Sequence, residues 1–265
     1  MRRLLLLLAA LAFAAPLEAR TLKVCADPNN LPFSNAKEEG FENRIVRIVA
    51  EQLKADVHYV WWAQRRGNVR ETLNAGLCDL IPGVVSSLEM LATTRPYYRS
   101  AYVVVVHDPA LQGLSSFDDP RLATLRLGVQ LIGDDGSNTP PAHALSRRGI
   151  VANVRGYPLF GDYALNAPQA PIVAAVANGE IDAAFVWGPT AGYFAKRQKA
   201  PLTLAAIRPL KDGSGLPMAF DISMGLRKAD VTLKREVEAA LEARAADIRA
   251  VLQHYGVPLI GKADR

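Results

Sequence analysis

The chain has 265 residues, half of them hydrophobic and 22% charged, and its formal net charge at pH 7 is +5. Its lysines and arginines are scattered rather than arranged in a stripe, so the charge pattern excludes an extended nucleic-acid-binding surface. The length is sufficient for one large domain or two small ones.

The first nineteen residues have the three parts of a secretory signal peptide. Arg2 and Arg3 form a basic start, an apolar run follows over 4–15, and small residues lead to Ala19. The apolar run is shorter than the roughly 20 residues that a membrane-spanning helix needs. We therefore predict cleavage after Ala19 and a periplasmic protein with no membrane span, the alternative being an uncleaved anchor.

Two cysteines, Cys25 and Cys78, lie in the exported part. A small, even number of cysteines in an exported protein is typical of one disulfide, although two buried free thiols would also fit. Neither cysteine has a second cysteine or a histidine at metal-ligand spacing. The four histidines are scattered without partners at the spacing of a catalytic triad. We therefore expect no catalytic residues and no metal site, and hence a protein that is not an enzyme.

The first half of the exported part alternates strands with helices. Strands are predicted over 21–26, 57–62, 77–85 and 103–106, and helices over 41–53 and 69–75. Phe41, Ile45 and Val49 recur at helical spacing with charged residues opposite them, and Gly76 ends the second helix. This alternation requires crossover connections and therefore a mainly parallel sheet.

The second half begins another series of the same kind. Strands are predicted over 127–131, 151–157, 181–187, 202–207 and 219–226, and helices over 140–146, 171–177, 189–197 and 231–255. The segments 73–83 and 176–188 both combine a helix end, a glycine, an aspartate and a buried strand. We therefore predict an α/β fold of two lobes, each a mainly parallel sheet flanked by helices, joined by two hinge strands. The first lobe would hold 20–105 and 220–265, and the second lobe 106–219.

Four motifs in a fixed order connect this pattern to a known family. They are DPNNLPF over 27–33, GLCDL over 76–80, RPYY over 95–98 and GEIDA over 179–183. In this order they resemble the periplasmic solute-binding proteins of the two-hinge class, which includes amino-acid receptors. The resemblance implies that ligands bind between the lobes, at the carboxyl ends of the strands, and that the lobes close by hinge motion.

The two charged groups that hold an amino acid in such receptors are missing here. An arginine shortly before the Pro-Tyr pair binds the ligand carboxylate in that class, a task that suits its planar fork. The corresponding segment over 87–90 ends in Met90, and Trp187 replaces the aspartate that binds the ligand ammonium. Arg95 could supply a substitute charge, but its position immediately before Pro96 favours an exposed arginine. The resemblance therefore implies that free amino acids are not the ligand.

Within this class, three long runs are most similar to the MxaJ/XoxJ-type proteins, which are encoded beside methanol dehydrogenases. The runs cover 23–53, 59–84 and 93–103 and include the cysteine pair and the Trp-Trp pair. This resemblance implies an accessory protein that binds a periplasmic quinoprotein dehydrogenase and aids its maturation or activation. The dehydrogenase would carry pyrroloquinoline quinone (PQQ) and a lanthanide or calcium ion, and the accessory protein would have no cofactor of its own. The alternative is a receptor that delivers a small apolar or aromatic solute to an ABC importer.

The candidate residues for binding in the cleft lie at predicted strand ends and in the adjoining loops. They are Asp27, Asn30, Phe33, Trp61, Trp62, Ser86, Glu89, Arg95, Tyr97 and Trp187. Tryptophan and tyrosine bury a large area at low entropic cost, although ordinary core packing would explain any single tryptophan equally well. Trp61 and Trp62 are adjacent on a strand and point to opposite faces, so one of them should be accessible.

A two-lobed fold of this kind would also bring the two cysteines together. Cys25 lies in the first strand and Cys78 at the start of the third, and these strands are neighbours if the first strand is central. Adjacent strands are about 5 Å apart, a separation that a disulfide can bridge. We therefore predict a disulfide between Cys25 and Cys78.

Overall fold

The computed structural model describes residues 20–86, 88–132, 138–160, 163–213 and 215–261, and the predicted signal peptide lies outside them. The α-helices are α1 (Phe41–Leu53), α2 (Asn68–Glu71), α3 (Pro140–Arg147), α4 (Pro171–Ala177), α5 (Gly188–Ala195), α6 (Val231–Ala243) and α7 (Ala245–His254). The strands are β1 (Arg20–Ala26), β2 (Asn29–Asn30), β3 (Ser34–Asn35), β4 (Ala55–Trp61), β5 (Ile81–Val85), β6 (Ala92–Thr93), β7 (Tyr98–Val106), β8 (Leu127–Leu131), β9 (Val154–Pro158), β10 (Ala183–Trp187), β11 (Thr203–Ala206), β12 (Lys211–Asp212), β13 (Leu216–Pro217) and β14 (Ala219–Leu226). None of the helices in these ranges is long and apolar enough to cross a membrane.

The first lobe is built around β1. Strand β1 pairs in parallel with β4, and a parallel bridge joins Val24 to Leu80 just before β5. Helix α1 covers these strands through Phe41, Ile45 and Val49, all of which are fully buried. Their helical spacing gives α1 one continuous apolar face, so burial of that face fixes the helix against the sheet.

The predicted disulfide is confirmed. Cys25 in β1 and Cys78 are bonded, with 5.6 Å between their Cα atoms. Cys78 nevertheless precedes the strand that was predicted to contain it, because β5 begins at Ile81. Residues 78–80 approach β1 through two backbone hydrogen bonds, from Cys25 to Leu80 and from Asp79 to Lys23. These bonds hold the two cysteines at bonding distance without a regular strand at Cys78.

The second lobe contains the parallel strands β9, β8 and β10, with α3, α4 and α5 packed around them. Its core includes the stacked rings of Phe117 and Phe185, whose centroids are 5.0 Å apart. The buried carboxylate of Asp212 pairs with Arg148 at 2.8 Å and with Arg147 at 3.0 Å. This ion pair ties the short β12–β13 hairpin to α3.

Two long strands connect the lobes. The first half of β7 pairs with β14, and its second half pairs with β10 and β11. All of these pairings are antiparallel, whereas a mainly parallel sheet was predicted. Strands β7 and β14 are antiparallel because they run between the lobes in opposite directions. The two-lobed, mixed α/β fold is confirmed, and the lobe boundaries at 105/106 and 219/220 stay a prediction.

The long C-terminal helix that was predicted over 231–255 is two helices. Arg244 separates α6 from α7 with φ −106° and ψ 19°, outside the helical range. Its guanidinium pairs with Asp247 at 2.5 Å and with Glu51 of α1 at 3.7 Å. Helix α7, which begins after the break, contacts α1. A contact of this kind between distant segments leaves no mark in the apolar spacing of residues 231–255, so the spacing does not predict the break.

Candidate functional site

A cavity of about 300 Å³ lies between the two lobes. Residues from both lobes and both hinge strands line it, and most of them are aromatic or aliphatic. The aromatic members are Phe33, Tyr98, Tyr102, Phe160, Trp187 and Phe220, and the others are Asn30, Glu42, Gln64, Gly83, Val85, Leu159, Gln169 and Ile222. The size and the apolar lining with few polar groups are typical of a small-molecule site.

Three rings form the wall at the hinge strands. The centroid of Trp187 is 5.2 Å from that of Tyr102 and 5.9 Å from that of Phe220, with interplanar angles above 60°. Trp187 is the last residue of β10, Tyr102 lies in the middle of β7 and Phe220 lies at the start of β14. The backbone N–H of Trp187 donates to Oε1 of Gln130 at 3.0 Å, which fixes the position where β10 ends and α5 begins.

Glu42 is the one acidic residue among the described residues that line the cavity, and none of those residues is basic. It lies in the first turn of α1, and only 3% of its surface is exposed. Its carboxyl fills the space beside Gly83, where the Cβ of any larger residue would overlap it. Burial raises the pKa of Glu42 from 4.5 to about 8, which outweighs the modest preference of a helix N-terminus for a carboxylate.

A polar network at the cavity joins the lobes. Gln169 donates to the side-chain oxygen of Asn30, and Oε1 of Gln169 accepts from Thr190 at 2.9 Å. The amide of Gln130 reaches the same Oε1 at 3.4 Å, and Asn30 donates to Gln64 at 3.1 Å. These polar side chains therefore form hydrogen bonds with one another.

A second set of contacts joins the two lobes through residues outside the cavity lining. The hydroxyl of Tyr163 donates to the buried carboxylate of Asp27 at 2.6 Å, and Asn29 donates to the backbone oxygen of Leu165 at 2.7 Å. Arg65 lies over the ring of Tyr163 at 5.2 Å. Burial, together with the hydrogen bond to Asp27, raises the pKa of Tyr163. We call the Asp27–Tyr163 and Asn29–Leu165 contacts the latch, because these hydrogen bonds join the first lobe to the second and would have to break for the lobes to open.

Two known proteins are similar in sequence to this chain over nearly its whole length. Protein MoxJ of Methylorubrum extorquens AM1 is 31% identical over 261 residues, which are 94% of this chain and 85% of that protein. Protein MoxJ of Paracoccus denitrificans is 30% identical over 266 residues, covering 95% of this chain and 94% of that protein. The chain belongs to the MoxJ family. No model in a scan of protein-family models matches it.

Solved structures agree with this family membership. The periplasmic binding protein XoxJ from Methylobacterium extorquens AM1 is 37% identical with a TM-score of 0.75, covering 91% of this chain and all of that one. MxaJ from Methylophaga aminisulfidivorans MPT is 27% identical with the same TM-score and the same coverage. An ancestral cationic amino-acid solute-binding protein, 19% identical with a TM-score of 0.67 over 89% of this chain and 95% of that one, shares the fold alone. The resemblance to MxaJ/XoxJ-type proteins is thus confirmed.

Four of the ten candidate residues lie at the cavity or the latch of this MoxJ-family protein. Asn30, Phe33 and Trp187 line the cavity, and Asp27 forms the latch. Their role in binding stays a prediction.

The other six candidates lie elsewhere. Trp61 stacks on Tyr59 with 4.5 Å between ring centroids, and Trp62, the accessible member of the pair, is 43% exposed. The hydroxyl of Ser86 donates to a backbone oxygen of β14, and Glu89 is exposed on a turn. Arg95 and Tyr97 line a separate groove beside α6 and α7, where Arg95 pairs with Glu242 at 2.8 Å. Arg95 therefore does not supply a charge to the cleft.

Several residues of the cavity are not among the ten candidates. Glu42 could have been found, because it stands three, four and seven residues before Ile45, Val46 and Val49, within the apolar stripe of α1. Tyr163 and Gln169 belong to an irregular connection without periodicity, so nothing in the sequence places them at the cleft. Among the described residues, no group of three or more histidines, cysteines or acids is placed to hold a metal ion.

Proposed function

We propose that this protein is a periplasmic accessory protein of a PQQ-dependent methanol or alcohol dehydrogenase. It would bind the dehydrogenase and aid its maturation or activation through the aromatic cleft. The dehydrogenase would carry PQQ and a lanthanide or calcium ion, while the accessory protein would hold neither and catalyse no reaction. Family membership favours this role over that of a receptor for an ABC importer.

The charge of the cleft is the observation that carries the proposal. A receptor for a free amino acid needs a cation for the carboxylate, and none of the described residues around the cavity is basic. Met90, at the place of the receptor arginine, is 54% exposed and lies outside the cavity. The amino-acid-binding groups are gone while the closing two-lobed scaffold remains, which supports a different binding partner.

Deletion and capture together test the proposal. In a strain without the gene, we expect the activity of the periplasmic dehydrogenase to fall, and the tagged protein should retain the dehydrogenase from a periplasmic extract. Failure of both, with no co-purified dehydrogenase and unchanged activity in the deletion strain, would refute the proposed function.

A matched pair of tryptophan variants tests the role of the cleft. Trp187→Leu removes a cavity wall, whereas Trp62→Leu removes an exposed tryptophan outside the cavity. If the cleft holds part of the dehydrogenase, Trp187→Leu weakens capture about tenfold, as truncation of a central aromatic does, and Trp62→Leu leaves it unchanged. Both variants must keep a wild-type circular dichroism spectrum. Equal capture by the two folded variants would place the contact outside the cleft.

A further inference from the structure

The carboxyl of Glu42 faces the cavity without a partner of opposite charge. No described side chain donates a hydrogen bond to it or forms an ion pair with it, and the residue is 97% buried. Buried carboxyls are normally paired, because burial of an isolated charge is costly. A buried acid that faces a cavity and has no partner in the protein is therefore placed to pair with a group of a bound ligand.

The rest of the cavity wall favours a cation as that partner. Tyr98, Tyr102, Trp187 and Phe220 line the same space, and the faces of aromatic rings carry negative potential. Rings of this kind attract ammonium groups, most strongly where water is excluded. An anion would meet Glu42 and the aromatic lining with no basic group to compensate.

We propose that the cavity binds a small organic cation, an alkylammonium group, whose charge pairs with Glu42 and whose carbon atoms pack against the aromatic wall. A volume of about 300 Å³ accommodates a group of this size. The cavity belongs to the cleft of the proposed function, but the ligand site does not depend on the dehydrogenase.

The protonation state of Glu42 gives the site a pH dependence. The carboxyl is protonated in the empty cavity at neutral pH, since burial raises its pKa to about 8. Binding of a cation expels this proton to solvent, so the affinity should increase as the pH rises toward 8. The ionisable groups that feel the charge of Glu42 are Tyr59, Tyr97 and Tyr98, whose pKa values burial raises further into the alkaline range. These hydroxyls stay neutral as the pH rises toward 8, so they do not contribute to the change in affinity.

Calorimetric titration of the full exported chain with choline tests the site. The control ligand is 3,3-dimethylbutan-1-ol, which has the shape of choline without its charge. We expect choline to bind with a Kd of about 1 mM or below at pH 8, and the neutral alcohol to bind at least about tenfold more weakly. Equal binding of the two ligands, or binding of neither, would overturn the proposal.

Two variants on the same helix separate the effect of the carboxyl from that of folding. Glu42→Gln keeps the size of the side chain and should weaken choline binding about tenfold or more, without the dependence on pH. Glu51→Gln changes an exposed acid of α1 and should bind as the wild type does. Wild-type affinity in folded Glu42→Gln would refute the assignment.

An alkylammonium group can come from a free amine or from a lysine of a protein partner. Competition distinguishes these sources once choline is seen to bind. If saturating choline displaces captured dehydrogenase, the natural cation is a lysine of that partner, and if capture persists, it is a free amine. The titrations use this chain alone, so their result stands even if the dehydrogenase does not bind.

Discussion

Replacing Glu42 by glutamine should make the protein less sensitive to pH. The carboxyl keeps its proton up to about pH 8 in the folded protein, because burial raises its pKa to about 8, whereas it ionises near pH 4.5 in the unfolded chain. Between these values the folded state binds more protons than the unfolded state. The free energy of unfolding of the wild type therefore falls as the pH rises through this window.

The size of the effect follows from the two pKa values. Each pH unit between them costs the folded wild type about 1.4 kcal/mol. At pH 7 the folded protein is thus less stable by roughly 3 kcal/mol than it would be with a neutral group at position 42. Below pH 4.5 this cost is absent, and above about pH 8 it is complete. This cost is a large part of the free energy of unfolding of a typical domain.

Urea unfolding monitored by tryptophan fluorescence measures this difference. Wild type, Glu42→Gln and the control Glu51→Gln are compared at intervals between pH 5 and pH 8. The gap between Glu42→Gln and wild type should widen with pH by about 1 kcal/mol per unit or more, while Glu51→Gln follows the wild type. The informative quantity is the change of this difference with pH rather than its size at one pH, because the buried glutamine amide adds a cost that does not depend on pH. Parallel pH profiles of wild type and Glu42→Gln would refute a protonated, buried carboxyl.

Three further predictions concern the disulfide, the latch and the second lobe. The double variant Cys25→Ser/Cys78→Ser opens a loop closed over 53 residues, which should lower the free energy of unfolding by about 4 kcal/mol in urea titrations; an unchanged midpoint would contradict this. Tyr163→Phe removes the hydroxyl that donates to Asp27 and should destabilise the closed form by about 2 kcal/mol. X-ray scattering should then show a larger radius of gyration. A scattering curve that matches the wild type would argue against the latch. Asp212→Asn leaves two arginines without their buried partner and should lower the free energy of unfolding by about 3 kcal/mol at pH 7. Because ion pairing lowers the pKa of Asp212, the difference from the wild type should shrink as the pH falls below about 4. A difference that does not depend on pH would contradict the pairing.

Local pattern was sufficient for the elements whose signals lie within a few residues. The structure begins and ends α1 (Phe41–Leu53), β8 (Leu127–Leu131), α4 (Pro171–Ala177) and β14 (Ala219–Leu226) where the sequence predicts them. Apolar spacing, β-branched runs and flanking glycine or proline act locally in each case. The break at Arg244 has no such local cause and was not predicted.

Contacts between residues that are distant in sequence could be predicted only where the residue type itself indicated the partner. Two cysteines in an exported chain can form one disulfide, so Cys25 and Cys78 were matched across 53 residues. The antiparallel pairing of β7 with β14 joins segments more than 100 residues apart and has no such marker. Strand direction at a hinge depends on the route of the whole chain.

By itself, the sequence predicted the two-lobed α/β fold, the family and the disulfide, and its resemblance to the family implies that the amino-acid-binding charges are absent at Met90 and Trp187. Only the tertiary structure decided which side chains meet in the cleft. It brought Tyr102 and Phe220 beside Trp187 and left Trp61 and Trp62 outside. The physical reason is that the cavity lies where two lobes and two hinge strands converge. The neighbours there are set by packing between segments that share no local pattern.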